Sequence, residues 1–88
     1  MNILNNIETN ATNLKDIYGS NLKLALKASG MTIEEFAEKV DVSPRMVYDW
    51  LWGIKLPRLE RAIVISCVLG VSIESLAKPR KKAGLSNK

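Results

Sequence analysis

The sequence contains no histidine and only one cysteine, Cys67, among its 88 residues. It also lacks a pair of acids in a glycine-rich loop and any base placed beside the single thiol. These absences remove the usual arrangements for acid–base, nucleophilic and metal-assisted catalysis, so we expect neither an enzyme nor a cofactor or metal site. One cysteine cannot form an internal disulfide. Its position in an apolar helical pattern predicts a small buried side chain in a reducing compartment rather than a reactive thiol.

Long apolar runs are also absent. No segment approaches the roughly 20 consecutive apolar residues that a membrane helix needs. The first ten residues, MNILNNIETN, have neither the positive start nor the continuous apolar stretch of a secretory signal. We therefore expect one compact domain located in the cytoplasm, without a membrane partner.

The basic charge is concentrated at the carboxyl end of the chain. The whole sequence has a net charge of +4, but residues 77–88 contain five basic residues and no acid, leaving eight basic and nine acidic residues elsewhere. The folded part is thus close to neutral, and its overall charge is weak support for nucleic-acid binding. The tail over residues 78–88 is predicted to be flexible. It either adds nonspecific affinity for DNA or binds RNA or a membrane surface, and the first reading is the simpler one.

The segment from Thr32 to Gly53 has the pattern of two short helices joined by a tight turn. Ser43 followed by Pro44 is a strong helix start, because serine caps free backbone N–H groups and proline suits the first helical position. Apolar residues recur at helical spacing on both sides of this start. They are Ile33, Phe36, Ala37 and Val40 before it, and Val47 and Trp50 after it. This layout is typical of a helix-turn-helix.

The rest of the chain also has helical periodicity, and no segment has the alternation of a strand. We predict helices over 18–29, 32–41, 43–52, 58–69 and 73–77, which makes the fold all-α with five helices. Residues 1–17 form either an extra amino-terminal helix or a frayed extension. A helical stripe in that segment would comprise Ile3, Leu4, Ile7, Leu14 and Ile17.

Residues 18–77 together resemble the lambda-repressor/Cro-type helix-turn-helix domain, also called the Xre family. The resemblance is carried by four segments at matching spacings. They are Tyr18-Gly19 with Leu22; Gly30-Met31-Thr32; Val42-Ser43 through Val47 and Trp50 to Gly53; and Pro57 with Leu69-Gly70-Val71-Ser72 and Leu76. The resemblance implies a five-helix domain whose motif core is Phe36, Ala37, Val40, Val47 and Trp50.

The resemblance also implies contacts with double-stranded DNA. The residues expected to face base edges in the major groove are Pro44, Arg45, Tyr48 and Asp49, of which Arg45 suits guanine best. Asp49 either accepts from cytosine or orients Arg45, and Tyr48 either stacks on sugar or bonds a phosphate. Phosphate contacts are expected from Ser43, Lys55 and Arg58, although the two cations could equally be solvated loop charges.

Some positions depart from the family pattern. Pro44 stands where glutamine or serine is usual, and Ile33 where glutamine is frequent. Leu51 and Trp52 replace a polar or charged pair. The second helix is acidic outside through Glu34, Glu35 and Glu38, which would repel DNA unless that face points away. The fourth helix is apolar nearly all round, so it needs cover on more than one side. We expect that cover from the amino-terminal stripe and from a second copy of the chain.

The residues therefore predict a sequence-specific transcriptional regulator, of the small phage or mobile-element repressor type. A homodimer on a palindromic operator is expected, and no small-molecule ligand is implied. The alternative is a protein-interaction module on the same fold, such as an antitoxin-like component or an inhibitor. An electropositive surface around Arg45, Lys55 and Arg58 would favour DNA. A contiguous apolar patch of Tyr48 and Trp52 would favour protein.

Overall fold

Five α-helices account for the fold in the computed structural model, which describes the backbone of residues 3–79 and the side chains of residues 14–79. They are α1 (Ile3–Ser29), α2 (Ile33–Lys39), α3 (Pro44–Leu51), α4 (Leu59–Leu69) and α5 (Ile73–Ala77). No strand occurs between residues 3 and 79, so the all-α, five-helix prediction is confirmed. No helix of this part of the chain is long and apolar enough to cross a membrane.

Three helices begin at hydroxyl caps that the sequence predicts. The side chains of Thr32, Ser43 and Ser72 each accept a hydrogen bond from a backbone N–H in the first turn of α2, α3 and α5. Glu35 completes a capping box with Thr32, which satisfies two N–H groups at the start of α2. The fourth helix differs, because its cap residue Arg58 makes no side-chain bond to the helix start.

Helix α1 is longer than the sequence suggests. The predicted helix starts at Tyr18, whereas the structure continues it back to Ile3 without a break. The expected boundary between residues 17 and 18 therefore lies inside one helix. Gly19, which would weaken a first turn, instead occupies the middle of α1 where the end of α3 crosses closely. A Cβ at Gly19 would lie 2.7 Å from the carbonyl oxygens of both Trp50 and Leu51.

The core forms where α1, α2, α3 and α5 converge, with α4 contributing Ala62 and Ile65. The predicted motif core is buried throughout: Phe36, Ala37, Val40, Val47 and Trp50 join Tyr18, Leu22, Leu26, Ile65 and Leu76. The Tyr18 hydroxyl is buried and has no hydrogen-bond partner among the described residues. Burial raises the pKa of Tyr18 to about 12.

Two polar side chains connect helices that are distant in sequence. The buried amide of Asn21 on α1 donates to the carbonyl oxygens of Leu76 and Lys78, both at 2.8 Å, which satisfies acceptors left free at the end of α5. The Arg61 guanidinium on α4 donates to the Val40 carbonyl oxygen at 2.9 Å, at the end of α2. Neither contact is predicted from local sequence.

Helix α4 buries one side and exposes the other. Ala62 and Ile65 face the core, while Leu59, Ile63 and Cys67 follow one another every four residues on the outside. We call these three residues the outer face of α4. The prediction that Cys67 is buried is wrong, because the core-facing residues of α4 place position 67 on the opposite side. The expected cover by Ile3, Leu4 and Ile7 concerns side chains outside the described residues.

Candidate nucleic-acid interface

Helix α3 is held by one face and presents the other to solvent. Val47 is fully buried and Trp50 is 2% exposed, and both pack in the core with α2. Pro44, Arg45 and Tyr48 lie on the exposed side of the same helix. The core contacts fix the orientation of α3, so these side chains are displayed by a rigid element.

The turn between α2 and α3 depends on a residue that the sequence interpretation did not single out. Asp41 has a φ of 61°, the only non-glycine residue with positive φ in the described chain. Its N–H bonds the Glu38 carbonyl oxygen at 3.2 Å, and the next residue, Val42, bonds that of Ala37 at 3.0 Å. Aspartate tolerates this left-handed conformation better than most residues do. That tolerance was the only local signal for its role.

The guanidinium of Arg45 is free of ion pairs within residues 14–79, whereas Asp49 and Lys55 are paired. The Asp49 carboxylate lies 3.9 Å from the Lys55 ammonium. The Asp49 carbonyl oxygen also accepts from the N–H groups of Ile54 and Lys55, at 2.9 and 3.2 Å. Asp49 therefore organises the loop after α3. The described contacts connect it with Lys55 and not with Arg45.

Both predicted phosphate-binding cations line one groove. It has a volume of about 500 Å³ and lies between α3, the 55–58 loop and the start of α4. We call it the α3–α4 groove. Its polar lining consists of Lys55, Arg58, Arg61 and Glu60, and its apolar lining of Val42, Met46, Trp50, Leu56 and Pro57. The structure thus brings Lys55 and Arg58 together and adds Arg61, which the sequence did not indicate.

Ser43, the third predicted phosphate contact, is exposed at the start of α3. Its Oγ accepts from the Met46 N–H at 3.3 Å, which leaves the hydroxyl proton available to an outside acceptor.

The exposed aromatics lie one helical turn apart at the end of α3. Tyr48 is 45% exposed and Trp52 is 71% exposed. The Lys23 ammonium of α1 stands 6.0 Å from the centroid of the Trp52 ring. A cation over the ring makes this surface mixed rather than purely apolar.

The acidic residues of α2 are not equivalent. The Glu35 carboxylate accepts from the Thr32 N–H at 2.9 Å and is thereby used in the capping box. Glu34 and Glu38 are exposed and lack an ion pair among the described residues. Electrostatic repulsion between α2 and DNA would therefore come mainly from Glu34 and Glu38.

Comparison with known proteins adds independent information. A family model described as a helix-turn-helix matches residues 22–76. No curated protein matches the chain significantly. The chain is similar to the solution structure of the SOS-response transcriptional repressor LexA from Eubacterium rectale. The TM-score is 0.75, with 26% identity, covering 78% of this chain and 73% of that one.

A second solved structure shares the fold. It is the crystal structure of a hypothetical transcription factor, NHTF, from Neisseria. The TM-score is 0.70, with 21% identity, covering 75% of this chain and 76% of that one. The match over residues 22–76 includes α2 and α3 completely, so the exposed face of α3 belongs to the matched region.

Proposed function

We propose that this chain, which belongs to the lambda-repressor/Cro-type (Xre) helix-turn-helix family, is a sequence-specific DNA-binding transcriptional regulator. Its α3 enters the major groove, and it acts as a small repressor. The observation that carries the proposal is the presentation of Arg45. The side chain is exposed on a helix anchored by Val47 and Trp50, and no acid of residues 14–79 pairs with it.

Arg45 reads a guanine in this proposal. A guanidinium donates two parallel hydrogen bonds to guanine O6 and N7, the commonest specific contact in the major groove. Pro44 and Tyr48 occupy the same exposed side and contact neighbouring bases or sugars. Asp49 is paired with Lys55 at 3.9 Å, so it reaches a cytosine amino group only if that pair opens. Arg45 is thus the principal reader.

Phosphate contacts position the domain. Ser43 offers its hydroxyl proton at the start of α3, and Lys55 and Arg58 bring positive charge to the following loop. These contacts carry no sequence information, but they make affinity dependent on salt. The basic residues after Pro79 add to this salt-dependent affinity for DNA.

A homodimer completes the proposal. The outer face of α4 exposes Leu59 by 71% and Ile63 by 47%, and nothing in residues 14–79 covers it. A two-fold partner that packs this face against its own copy would place two α3 helices on one DNA duplex. The operator is then palindromic, with half-sites about one helical turn apart.

Selection of binding sites from random DNA tests the proposal. We expect the wild-type chain to select a palindrome, and Arg45→Ala to lose one guanine preference in each half-site. The affinity should fall about 10- to 100-fold for each half-site, because each lost bidentate contact contributes about 1–3 kcal/mol. Lys27→Ala is the matched control, because Lys27 is an exposed cation on α1, away from α3. It should leave the selected sequence unchanged. A wild-type chain that selects no sequence would disprove the assignment.

A second function, a protein-interaction module on the same fold, is favoured by one observation. Trp52 and Tyr48 expose 71% and 45% of their surface on successive turns. Such aromatics are common at the centre of protein interfaces. Trp52→Ala separates the two functions: the DNA proposal expects the selected sequence to persist, whereas a protein partner would be released.

A further inference from the structure

We infer that the α3–α4 groove binds a small organic anion with an apolar body, and that this ligand opposes DNA binding. The first half of the inference rests on the groove alone. The second half rests on the proposed function, because Lys55 and Arg58 serve both ligands. An anion in the groove would bond cations that phosphates otherwise occupy.

The interior of the groove suits an apolar group. Four partly buried apolar residues line it: Val42 in the turn between α2 and α3, Met46 in the first turn of α3, and Leu56 and Pro57 in the loop after α3. Trp50 lies beneath them at 2% exposure and gives a firm floor. A ring or a short acyl chain placed there would replace water against an apolar surface.

The rim of the groove suits one negative charge. Lys55, Arg58 and Arg61 line it with Glu60 as the only acid. Arg61 is held in place by its bond to the Val40 carbonyl oxygen, at 2.9 Å. Lys55 is held only by a 3.9 Å ion pair with Asp49, and its side chain is 56% exposed. An exposed pair of this kind is weak, so Lys55 can turn toward an incoming anion at little cost.

The dimensions favour a small molecule over a macromolecule. A volume of about 500 Å³ lies within the range of about 300–1,000 Å³ that ligand pockets occupy. Carboxylates or sulfonates on one or two rings, or on a short chain, meet the requirements of size, apolar body and charge.

The site is tested with 8-anilinonaphthalene-1-sulfonate, a fluorescent sulfonate with two aromatic ring systems, a naphthalene and a phenyl ring, titrated into the chain of 88 residues. We expect enhanced fluorescence with saturable one-site binding. Amide NMR shifts should concentrate at residues 42–46 and 55–61. Arg58→Glu reverses a rim charge at an exposed position and should weaken binding about tenfold. Lys27→Glu is the matched control, because it reverses a positive charge at an exposed position that does not line the groove, and it should leave the affinity unchanged.

The opposite pattern would overturn the site. If the shifts fall on Leu59, Ile63 and Cys67 instead, the dye recognises the outer face of α4. Dye binding that Arg58→Glu leaves unaltered would likewise refute the role of the cationic rim. A folded chain that binds no dye also refutes it.

The effect on DNA is measured separately, by anisotropy of a labelled duplex carrying the selected operator. A saturating concentration of the dye should raise the apparent Kd for DNA at least fivefold. Unchanged DNA affinity with an occupied groove would disprove the antagonism and leave the site standing. If the chain binds no DNA at all, both the proposed function and the antagonism are disproved. The NMR shifts caused by the dye still test whether the groove binds an anion.

Discussion

Single side chains determine how closely the helices of this domain approach one another. Gly19 lets the end of α3 reach α1, because any Cβ there would meet two carbonyl oxygens at 2.7 Å. Asn21 bonds the end of α5 and Arg61 bonds the end of α2. Gly19 leaves room for carbonyl oxygens at a helix end, whereas Asn21 and Arg61 donate hydrogen bonds to such oxygens. The relative positions of the helices therefore depend on a few residues on α1 and α4.

The first prediction concerns Gly19→Ala. Helix propensity alone would make this change stabilising by about 1 kcal/mol. We expect the reverse, a loss of about 2 kcal/mol, because the new methyl group must displace the backbone at the end of α3. Urea unfolding followed by circular dichroism gives the free energy of unfolding. Ser20→Ala, the neighbouring exposed position, is the control and should change it by less than about 0.5 kcal/mol. A stabilised Gly19→Ala variant would show that the helices do not approach so closely.

The second prediction concerns the buried hydroxyl of Tyr18. The pKa of Tyr18 is raised to about 12 by burial, so the folded state keeps its proton where the unfolded state loses it. The contribution of Tyr18 to stability should therefore be constant below about pH 10 and fall by on the order of 2 kcal/mol as pH rises from 10 to 12.

Tyr18→Phe is the matched variant for that prediction. It should be as stable as the wild type or slightly more stable at pH 7, because it removes a buried polar group that makes no hydrogen bond with any described residue. Its unfolding free energy should fall less steeply between pH 10 and 12. If the unfolding free energies of the two proteins fall equally steeply between pH 10 and 12, the Tyr18 hydroxyl is exposed to solvent.

At the scale of helices and turns, different residues determine where α3 begins and how it is oriented relative to α2. Ser43 and Pro44 begin the helix, and local sequence predicts this correctly. The angle between α2 and α3 depends on Asp41, whose φ of 61° reverses the chain at the end of α2. Aspartate holds this conformation under mild strain, since only glycine adopts it without a steric penalty.

The third prediction follows for Asp41. Asp41→Gly should raise the free energy of unfolding by up to about 1 kcal/mol by relieving the strain, whereas Asp41→Ala should lower it by about 1 kcal/mol. Thermal unfolding of the two variants beside wild type measures both effects. The difference between glycine and alanine is the decisive quantity, because both variants remove the same carboxylate. Equal stability of the two would contradict the positive φ.

At the scale of the whole molecule, the outer face of α4 is an exposed apolar surface that the described residues do not use for packing. The core uses Ala62 and Ile65, and the opposite side of the helix presents Leu59, Ile63 and Cys67 to solvent. The sequence pattern indicates that α4 needs cover on more than one side. The described residues provide it on one side only, which is the reason for placing the proposed dimer interface here.

The fourth prediction is that Ile63→Glu prevents dimer formation. Ile63 is 47% exposed at the centre of the outer face, and a carboxylate buried there without a partner would strongly disfavour association. Sedimentation equilibrium should give a dimer for wild type and a monomer for the variant. Leu24→Glu, at an apolar position of α1 with 43% exposure, should remain dimeric. A wild-type monomer at micromolar concentration would remove the basis for a palindromic operator.

The sequence by itself determined the class of fold and most of the helix ends. Hydroxyl caps, glycines and apolar spacing act within one or two turns, so α2, α3 and α5 begin where the pattern predicts. The buried motif core follows from the same spacing, and the family membership follows from its match over residues 22–76.

Tertiary structure decided what depends on contacts between distant residues. The bond from Asn21 to the Leu76 carbonyl oxygen, the bond from Arg61 to Val40 and the packing of Gly19 against α3 all arise where separate helices meet. The exposure of Cys67 has the same origin, because an apolar helix does not specify which of its sides the core will use. Local pattern determines which helices form. The packing of those helices decides that Arg45 pairs with no acid of residues 14–79 and that three cations line the α3–α4 groove.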